Sequence, residues 1–171
     1  IAMNEYSKFF RIYFFPICLI ILLSFSRIIP HPYNFTPILA VGIFSGFYFK
    51  QFFLSLFIVI FSMFLGDLYF GFHSTMIFTY FSLAIAVAFG LFIKHFKYIE
   101  ILLSGLASSV CFFIVTNFGA WLVLDMYEKN LADLLKSYVL AIPFFHNTLI
   151  STFLYLFLYK ILFELLLNEE K

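Results

Sequence analysis

Long apolar runs, separated by short polar loops, make up most of this chain. Of its 171 residues, 64% are hydrophobic and 11% are charged, whereas an average soluble domain is about half apolar and about a quarter charged. A globule of this length has too little interior to bury so much apolar surface, so the surroundings that it requires are lipid. This excludes a soluble enzyme, a nucleic-acid-binding module and a disordered tail. The net charge of +1 gives no reason to expect a polyanionic partner.

The apolar runs predict an all-α membrane protein with six transmembrane helices, since about 20 apolar residues cross the hydrocarbon core. The predicted spans are residues 10–26, 35–49, 52–65, 75–93, 99–124 and 139–163. Only Lys50 and Gln51 separate the second and third runs, which we interpret as a tight hairpin; one long bent helix is the alternative. The charged segment 125–137 is expected to form a short surface helix.

Residues 1–171 are expected to form a single integral membrane domain, in which Ile1 and Ala2 are non-native residues ahead of a natural start at Met3. The first apolar run has no small-residue cleavage site, so we expect it to be retained as an anchor. The orientation of the whole chain in the membrane is predicted from its Lys and Arg residues, because these are enriched in cytoplasmic loops. With the N-terminus inside, seven of them fall on the cytoplasmic side, namely Lys8, Arg11, Lys50, Lys94, Lys97, Lys160 and Lys171. Three fall outside, namely Arg27, Lys129 and Lys136, so both termini are expected in the cytoplasm.

Ten residues that could bind a ligand fall at the predicted outer ends of the helices. They are Arg27, His31, Asn34, Asp67, Tyr69, His73, Asn117, Trp121, His146 and Asn147. Several lie inside or beside apolar runs, where an unpaired polar group is costly and often marks a binding site or a water-filled cavity. We therefore predict a cup that opens outward and binds a small molecule. Its floor is expected to be Asp67, Asn117 and Asn147, with Arg27, His31, Tyr69, Trp121 and His146 around it.

Asp67 is predicted to pair with Arg27 rather than with a histidine. Arginine is always charged and can hold a carboxylate through two parallel hydrogen bonds. This pair has a purely structural interpretation as well. Trp121 could equally be an ordinary interfacial aromatic, and Asn117 and Asn147 could hydrogen-bond neighbouring helices.

Metal binding and catalysis have little support in the sequence. His31, His73, His146 and Asp67 would suit a transition metal, but they show no His-x-His or His-x3-His spacing. The chain has no HExxH, no Gly-x-Ser-x-Gly, no phosphate-binding glycine loop and no Walker motif. We therefore expect neither an enzyme nor a cofactor or metal site, and we expect Cys18 and Cys111 to be buried apolar thiols.

A GxxxG motif, Gly42 to Gly46, lies on the second predicted span, with Ala40 adding a further small side chain. Such a face lets another helix approach closely in lipid. The partner helix could belong to the same chain or to a separate subunit.

The loop after the first span carries the most distinctive motif. It reads Arg27-Ile-Ile-Pro-His-Pro-Tyr-Asn-Phe-Thr-Pro37 and resembles a family of uncharacterised small bacterial membrane proteins, whose corresponding segment reads Arg-x-x-Pro-His-Pro-x-Asn-Phe-Thr-Pro. Three further segments resemble the same family in matching order. They are Gly66-Asp67 with Gly71-Phe-His-Ser-Thr-Met76, Thr116-Asn-Phe-Gly-Ala-Trp121, and Ile142-Pro-Phe-Phe-His-Asn-Thr148.

That family is similar in turn to the S components of energy-coupling factor (ECF) transporters, which are six-helix proteins that capture vitamins and related micronutrients. The resemblance implies a six-helix bundle in the bacterial inner membrane, an outward binding cup, and a partner module of one transmembrane T subunit with two ATPases. The expected function is therefore capture of a vitamin-like molecule for uptake. The alternatives are a structural or assembly subunit of a larger membrane complex, such as an MreD-like scaffold, and a metal-binding permease.

Overall fold

The computed structural model describes residues 14–169, apart from the side chains of residues 15–17, 24 and 166–169. Within this range the backbone forms six α-helices and no strand. They are α1 (Phe15–Ile28), α2 (Ile38–Phe49), α3 (Phe52–Phe70), α4 (Met76–Phe92), α5 (Tyr98–Val123) and α6 (Leu131–Glu169). Several predictions concern residues outside this described range. They are the start at Ile1, Ala2 and Met3, the first residues of span 10–26, and the positions of Lys8, Arg11 and Lys171.

Successive helices run in opposite directions, so their connections alternate between the two ends of the bundle. The loops of residues 29–37, 71–75 and 124–130 lie at one end, which we call the Arg27 end. The loops of residues 50–51 and 93–97 lie at the other, which we call the Lys50 end.

Aromatic contacts close the bundle at both ends. At the Arg27 end, Tyr33 packs edge-on against Phe144 of α6, with 5.9 Å between ring centroids. At the Lys50 end, Phe47 of α2 stacks on Phe96 at 4.5 Å. Each contact joins a loop to a helix distant in sequence, so the two loop layers are tied to the same helical core.

Helix α2 is the centre of the bundle, with every residue from 38 to 47 buried. Its closest neighbour is α4: a Cβ placed on Gly46 would lie 3.1 Å from the Gly90 Cα, and one on Gly90 would overlap the Ile43 carbonyl oxygen. The face of Gly42 and Gly46 therefore packs against a helix of the same chain. Ala40, also predicted to pack against a partner helix, has no exposed surface.

A tight hairpin joins α2 to α3, as predicted from Lys50 and Gln51, and the alternative of one bent helix is wrong. Lys50 ends α2 in the left-handed conformation, with φ of 52°. Its amino group donates hydrogen bonds to the carbonyls of Leu91, at 3.2 Å, and Ile93. These two carbonyls at the end of α4 thereby hold the turn against the neighbouring helix.

The predicted separate surface helix over residues 125–137 is wrong, because most of that segment belongs to the 39-residue helix α6. Asn130 caps this helix: its side-chain oxygen accepts a hydrogen bond from the Asp133 N–H at 2.8 Å. Pro143 lies inside α6 without ending it, as prolines in membrane helices commonly do. A helix of this length spans about 58 Å, more than a bilayer core requires.

Three of the described helices, α3, α5 and α6, are long and apolar enough to cross a membrane. Much of their outward surface is apolar; Phe53 on α3, for example, is 82% exposed. Such exposed apolar side chains are stable when lipid covers them. The fold is thus all-α, and three of its helices are suited to span a membrane. The other three, α1, α2 and α4, are shorter, with 14, 12 and 17 described residues.

Candidate ligand-binding site

A cavity of about 530 Å³ opens at the Arg27 end of the bundle. Its walls come from all six described helices and from two loops, and they combine polar and apolar side chains. They are Arg27, His31, Tyr33, Asn34, Thr36, Ile38, Leu39, Met63, Phe70, His73, Thr75, Thr79, Phe112, Thr116 and Thr148. This volume lies within the usual range for small-molecule sites, about 300–1,000 Å³.

An ion pair between α1 and α3 supports one wall of this cavity. Arg27 Nη1 lies 2.8 Å from Asp67 Oδ1, and it also donates to the Met63 carbonyl at 2.8 Å. The Tyr80 hydroxyl donates to Asp67 Oδ2 at 2.6 Å. The predicted pairing of Asp67 with Arg27 is therefore confirmed. Both oxygens of a buried carboxylate are satisfied, which is what its burial requires.

Gly66 makes room for this ion pair. A Cβ at this position would overlap the Nη1 of Arg27 and would lie 2.9 Å from its Cδ. The arginine therefore crosses directly over the α3 backbone to reach Asp67, one residue further along. A larger residue at 66 would have to displace the guanidinium.

Arg27 also faces the cavity. Its side chain is 19% exposed, while that of Asp67 is 1% exposed. Within the described residues, all of its hydrogen bonds are made by Nη1, so Nε and Nη2 have no protein acceptor there. The aromatic ring of Phe70 lies beside the guanidinium, 5.8 Å from its carbon to the ring centroid.

The Pro-His-Pro-Tyr-Asn loop forms the rim of the cavity. Asn34 adopts a left-handed conformation, with φ of 61°, which asparagine tolerates better than most residues. The preceding turn is closed by a hydrogen bond from the Phe35 N–H to the Pro32 carbonyl at 3.0 Å. His31 Nδ1 lies 2.9 Å from the same carbonyl. The motif thus shapes a turn that leads the chain from α1 into the buried helix α2.

Threonine hydroxyls supply much of the remaining polar surface of the cavity. Thr116 and Thr148 donate to carbonyls of their own helices, at 2.7 and 3.0 Å, which leaves their oxygens able to accept. Thr75 precedes α4 and lies 2.8 Å from the Nδ1 of His73. Sequence reasoning did not select Thr79, Thr116 or Thr148 as binding residues. The signal that could have indicated them was a hydroxyl group inside an otherwise apolar run.

The model of one protein family matches residues 7–171, which include every helix and every residue that lines the cavity. The chain belongs to DUF6580, a family of unknown function. A search of curated proteins found no match, and a search of solved structures found none either.

In this DUF6580 protein, four of the ten predicted binding residues line the cavity, namely Arg27, His31, Asn34 and His73. Asp67 lies behind Arg27, out of contact with the open space. Tyr69 is exposed and packs edge-on against Phe70, with 5.0 Å between centroids.

The other predicted floor residues also lie away from the cavity floor. Asn117 donates to the Phe113 carbonyl of its own helix at 2.7 Å and lines a smaller adjoining space of about 50 Å³, which shares Phe112, Thr116 and Thr148 with the cavity. Asn147 donates to the Tyr33 carbonyl at 2.9 Å and so ties α6 to the rim loop. The predicted floor is therefore wrong: the three side chains bond to separate partners, and none of them lines this cavity.

Two further predicted residues of this DUF6580 chain lie outside the cavity as well. Trp121 donates from Nε1 to the Glu128 carbonyl at 2.9 Å, inside the turn between α5 and α6, and His146 is exposed on α6. Within residues 14–169, no three His, Cys, Asp or Glu side chains group closely enough to hold a metal ion. Cys18 and Cys111 are both free thiols and only half-buried.

Proposed function

We propose that this protein is a substrate-capture membrane protein resembling an ECF transporter S component, and that it binds a small, vitamin-like molecule for uptake. The cavity at the Arg27 end supports this proposal. It is large enough for such a molecule, and its walls join segments from α1 through α6 around a few convergent polar groups.

All six helices cross or enter the bacterial inner membrane in this proposal, with the Arg27 end outside and both termini in the cytoplasm. The shorter helices do not each need a full lipid-facing length, because α2 is surrounded by protein. Among the described Lys and Arg residues, four lie at the Lys50 end, namely Lys50, Lys94, Lys97 and Lys160, against three at the Arg27 end.

Because the sequence has no Walker motif, energy for uptake would come from a gradient or from another protein. A module of a T subunit with two ATPases is one such partner, and another membrane subunit is the alternative. A structural subunit is the alternative; its partner would have to contact the exposed phenylalanine faces, since α4 covers both Gly42 and Gly46 of the packing motif.

Native mass spectrometry of the protein, purified in detergent without added ligand, tests the capture function. We expect a small molecule to be retained and to be released on unfolding. A matched sample of the Thr116→Leu variant, in which a larger apolar side chain enters the cavity, should retain much less. Preparations in which neither sample carries a small molecule, even after incubation with a metabolite extract, would contradict capture.

Single-cysteine labelling tests the orientation. In a background with Cys18 and Cys111 replaced by alanine, we expect an impermeant thiol reagent to label Ser74→Cys from outside intact cells and to leave Lys94→Cys unlabelled. Ser74 lies in the loop at the Arg27 end and Lys94 in a loop at the Lys50 end, and both are exposed. Permeabilised cells, in which both positions should react, provide the control. Labelling of position 94 alone in intact cells would reverse the proposed topology.

A further inference from the structure

We infer that the ligand of this cavity carries a carboxylate group, and that this group binds the free side of the Arg27 guanidinium. The inference rests on the proposed capture function and narrows the class of molecule that the cavity selects to small organic acids. It depends on the charge, the free hydrogen-bond donors and the apolar surface of the cavity.

The charge of the cavity wall is positive. Of the described residues that line it, Arg27 alone carries a permanent charge, and none is a carboxylate. Asp67 lies behind it, 1% exposed, with its two oxygens held by Arg27 and by the Tyr80 hydroxyl. The ion pair is therefore a dipole with its positive end toward the cavity, and an anion there meets no negative side chain among these lining residues.

The free donors match a carboxylate. Nη1 of Arg27 is used by Met63 and Asp67, while Nε and Nη2 donate to no described group. These two nitrogens form one edge of the guanidinium, and such an edge can donate two parallel hydrogen bonds to a planar carboxylate. A phosphate would bring up to two negative charges to a single arginine that is already paired, so one carboxylate fits the available charge better.

The start of α2 adds to the same wall. The N–H groups of Ile38 and Leu39 have no backbone acceptor and no side-chain cap within the described chain, and both residues line the cavity. Unpaired N–H groups in the first turn of a helix carry partial positive charge. The apolar surface of the cavity, from Met63, Phe70 and Phe112, would cover an apolar or aromatic body of the ligand.

Matched pairs of acids and amides test this inference in uncharged maltoside detergent, where no lipid phosphate competes. The probes are benzoate with benzamide, indole-3-acetate with indole-3-acetamide, and hexanoate with hexanamide; affinity is measured by isothermal titration and by the shift of the thermal unfolding midpoint. In each pair that binds, we expect the acid to bind about tenfold more tightly or better, as for a hydrogen bond to a charged group.

Two variants locate the effect at Arg27. In Asp67→Asn the arginine loses its counterion, so the affinity for acids should rise about tenfold while that for amides stays the same. The double variant Arg27→Gln/Asp67→Asn has no unpaired buried charge and should fold, yet its preference for acids should disappear. Addition of phosphatidylglycerol should leave benzoate binding unchanged.

The outcomes separate the inference from the function on which it rests. Three results would each overturn the inference and leave small-molecule capture standing. The first is that amides bind as tightly as acids, and the second is that the acid preference survives in the double variant. The third is that phosphatidylglycerol displaces benzoate. Absence of binding by every probe, together with the absence of a retained molecule in native mass spectrometry, would overturn the capture function and this inference with it.

Discussion

Replacing Asp67 by alanine is expected to lower the free energy of unfolding by about 3 kcal/mol, the lower end of the range for buried ion pairs, because Arg27 borders the cavity and is 19% exposed. The substitution leaves the Arg27 guanidinium without its carboxylate in a largely apolar setting, and it also removes the acceptor of the Tyr80 hydroxyl. Removing one member of a buried ion pair costs more than removing both, because the remaining charge has no compensation. Reversible unfolding in mixed micelles, followed by circular dichroism, measures the change.

Three further variants distinguish the ion pair from simple loss of packing. Tyr80→Phe removes one hydrogen bond and should cost about 1 kcal/mol. Gly66→Ala keeps both charges but places a Cβ where Nη1 of Arg27 lies, so it should weaken the pair and destabilise the fold. Arg27→Met/Asp67→Leu removes both charges and should recover much of the stability lost in Asp67→Ala. A double variant no more stable than Asp67→Ala would contradict this account.

The second large effect is expected at Gly90, where substitution by alanine should cost about 3 kcal/mol, the upper part of the usual range for overpacking. The added Cβ would overlap the carbonyl oxygen of Ile43 on α2. Rotation of a side chain cannot relieve this clash, because the Cβ meets backbone atoms, so α2 and α4 would have to move apart. Gly46→Ala should behave similarly, since its Cβ would overlap the Val87 carbonyl oxygen.

Gly42→Ala is the matched control, because it adds the same methyl group to the same α2–α4 contact. Its Cβ would lie 3.3 Å from the Ala86 Cβ, a close contact that small shifts can absorb. Alanine also favours the helix over glycine by about 1 kcal/mol, so the net change should be close to zero. Equal destabilisation by Gly42→Ala and Gly90→Ala in the same unfolding assay would show that close α2–α4 contact does not limit stability.

Much of the helical layout was predictable, because it depends on local properties of the chain. Each apolar run corresponds to a described helix, since a helix satisfies all of its own backbone hydrogen bonds in lipid. The hairpin was predictable because Lys50 and Gln51 are too polar to continue a membrane span. The pairing of Arg27 with Asp67 followed from the cost of leaving either charge unpaired in an apolar setting.

The cavity lining was predictable only in part, because the sequence indicates which residues lie near a loop but not the direction of a side chain on its helix. His31, Asn34 and His73 lie in loops at one end and do line the cavity. Asn117 and Asn147 lie within α5 and α6, and their side chains bond to Phe113 and to Tyr33 instead. Successive residues of a helix point about 100° apart, so residues at one depth can face entirely different neighbours.

The sequence by itself determined that this chain is α-helical with apolar spans suited to a membrane, where most of its helices lie, and that Asp67 pairs with Arg27. Only the tertiary structure decided that α4 covers Gly46, that α6 continues from Leu131 through Pro143, and which polar residues meet around one cavity. The physical reason is that helices such as α2 are apolar on every side. Periodicity then cannot indicate which face meets which helix, and contacts between distant segments make that choice.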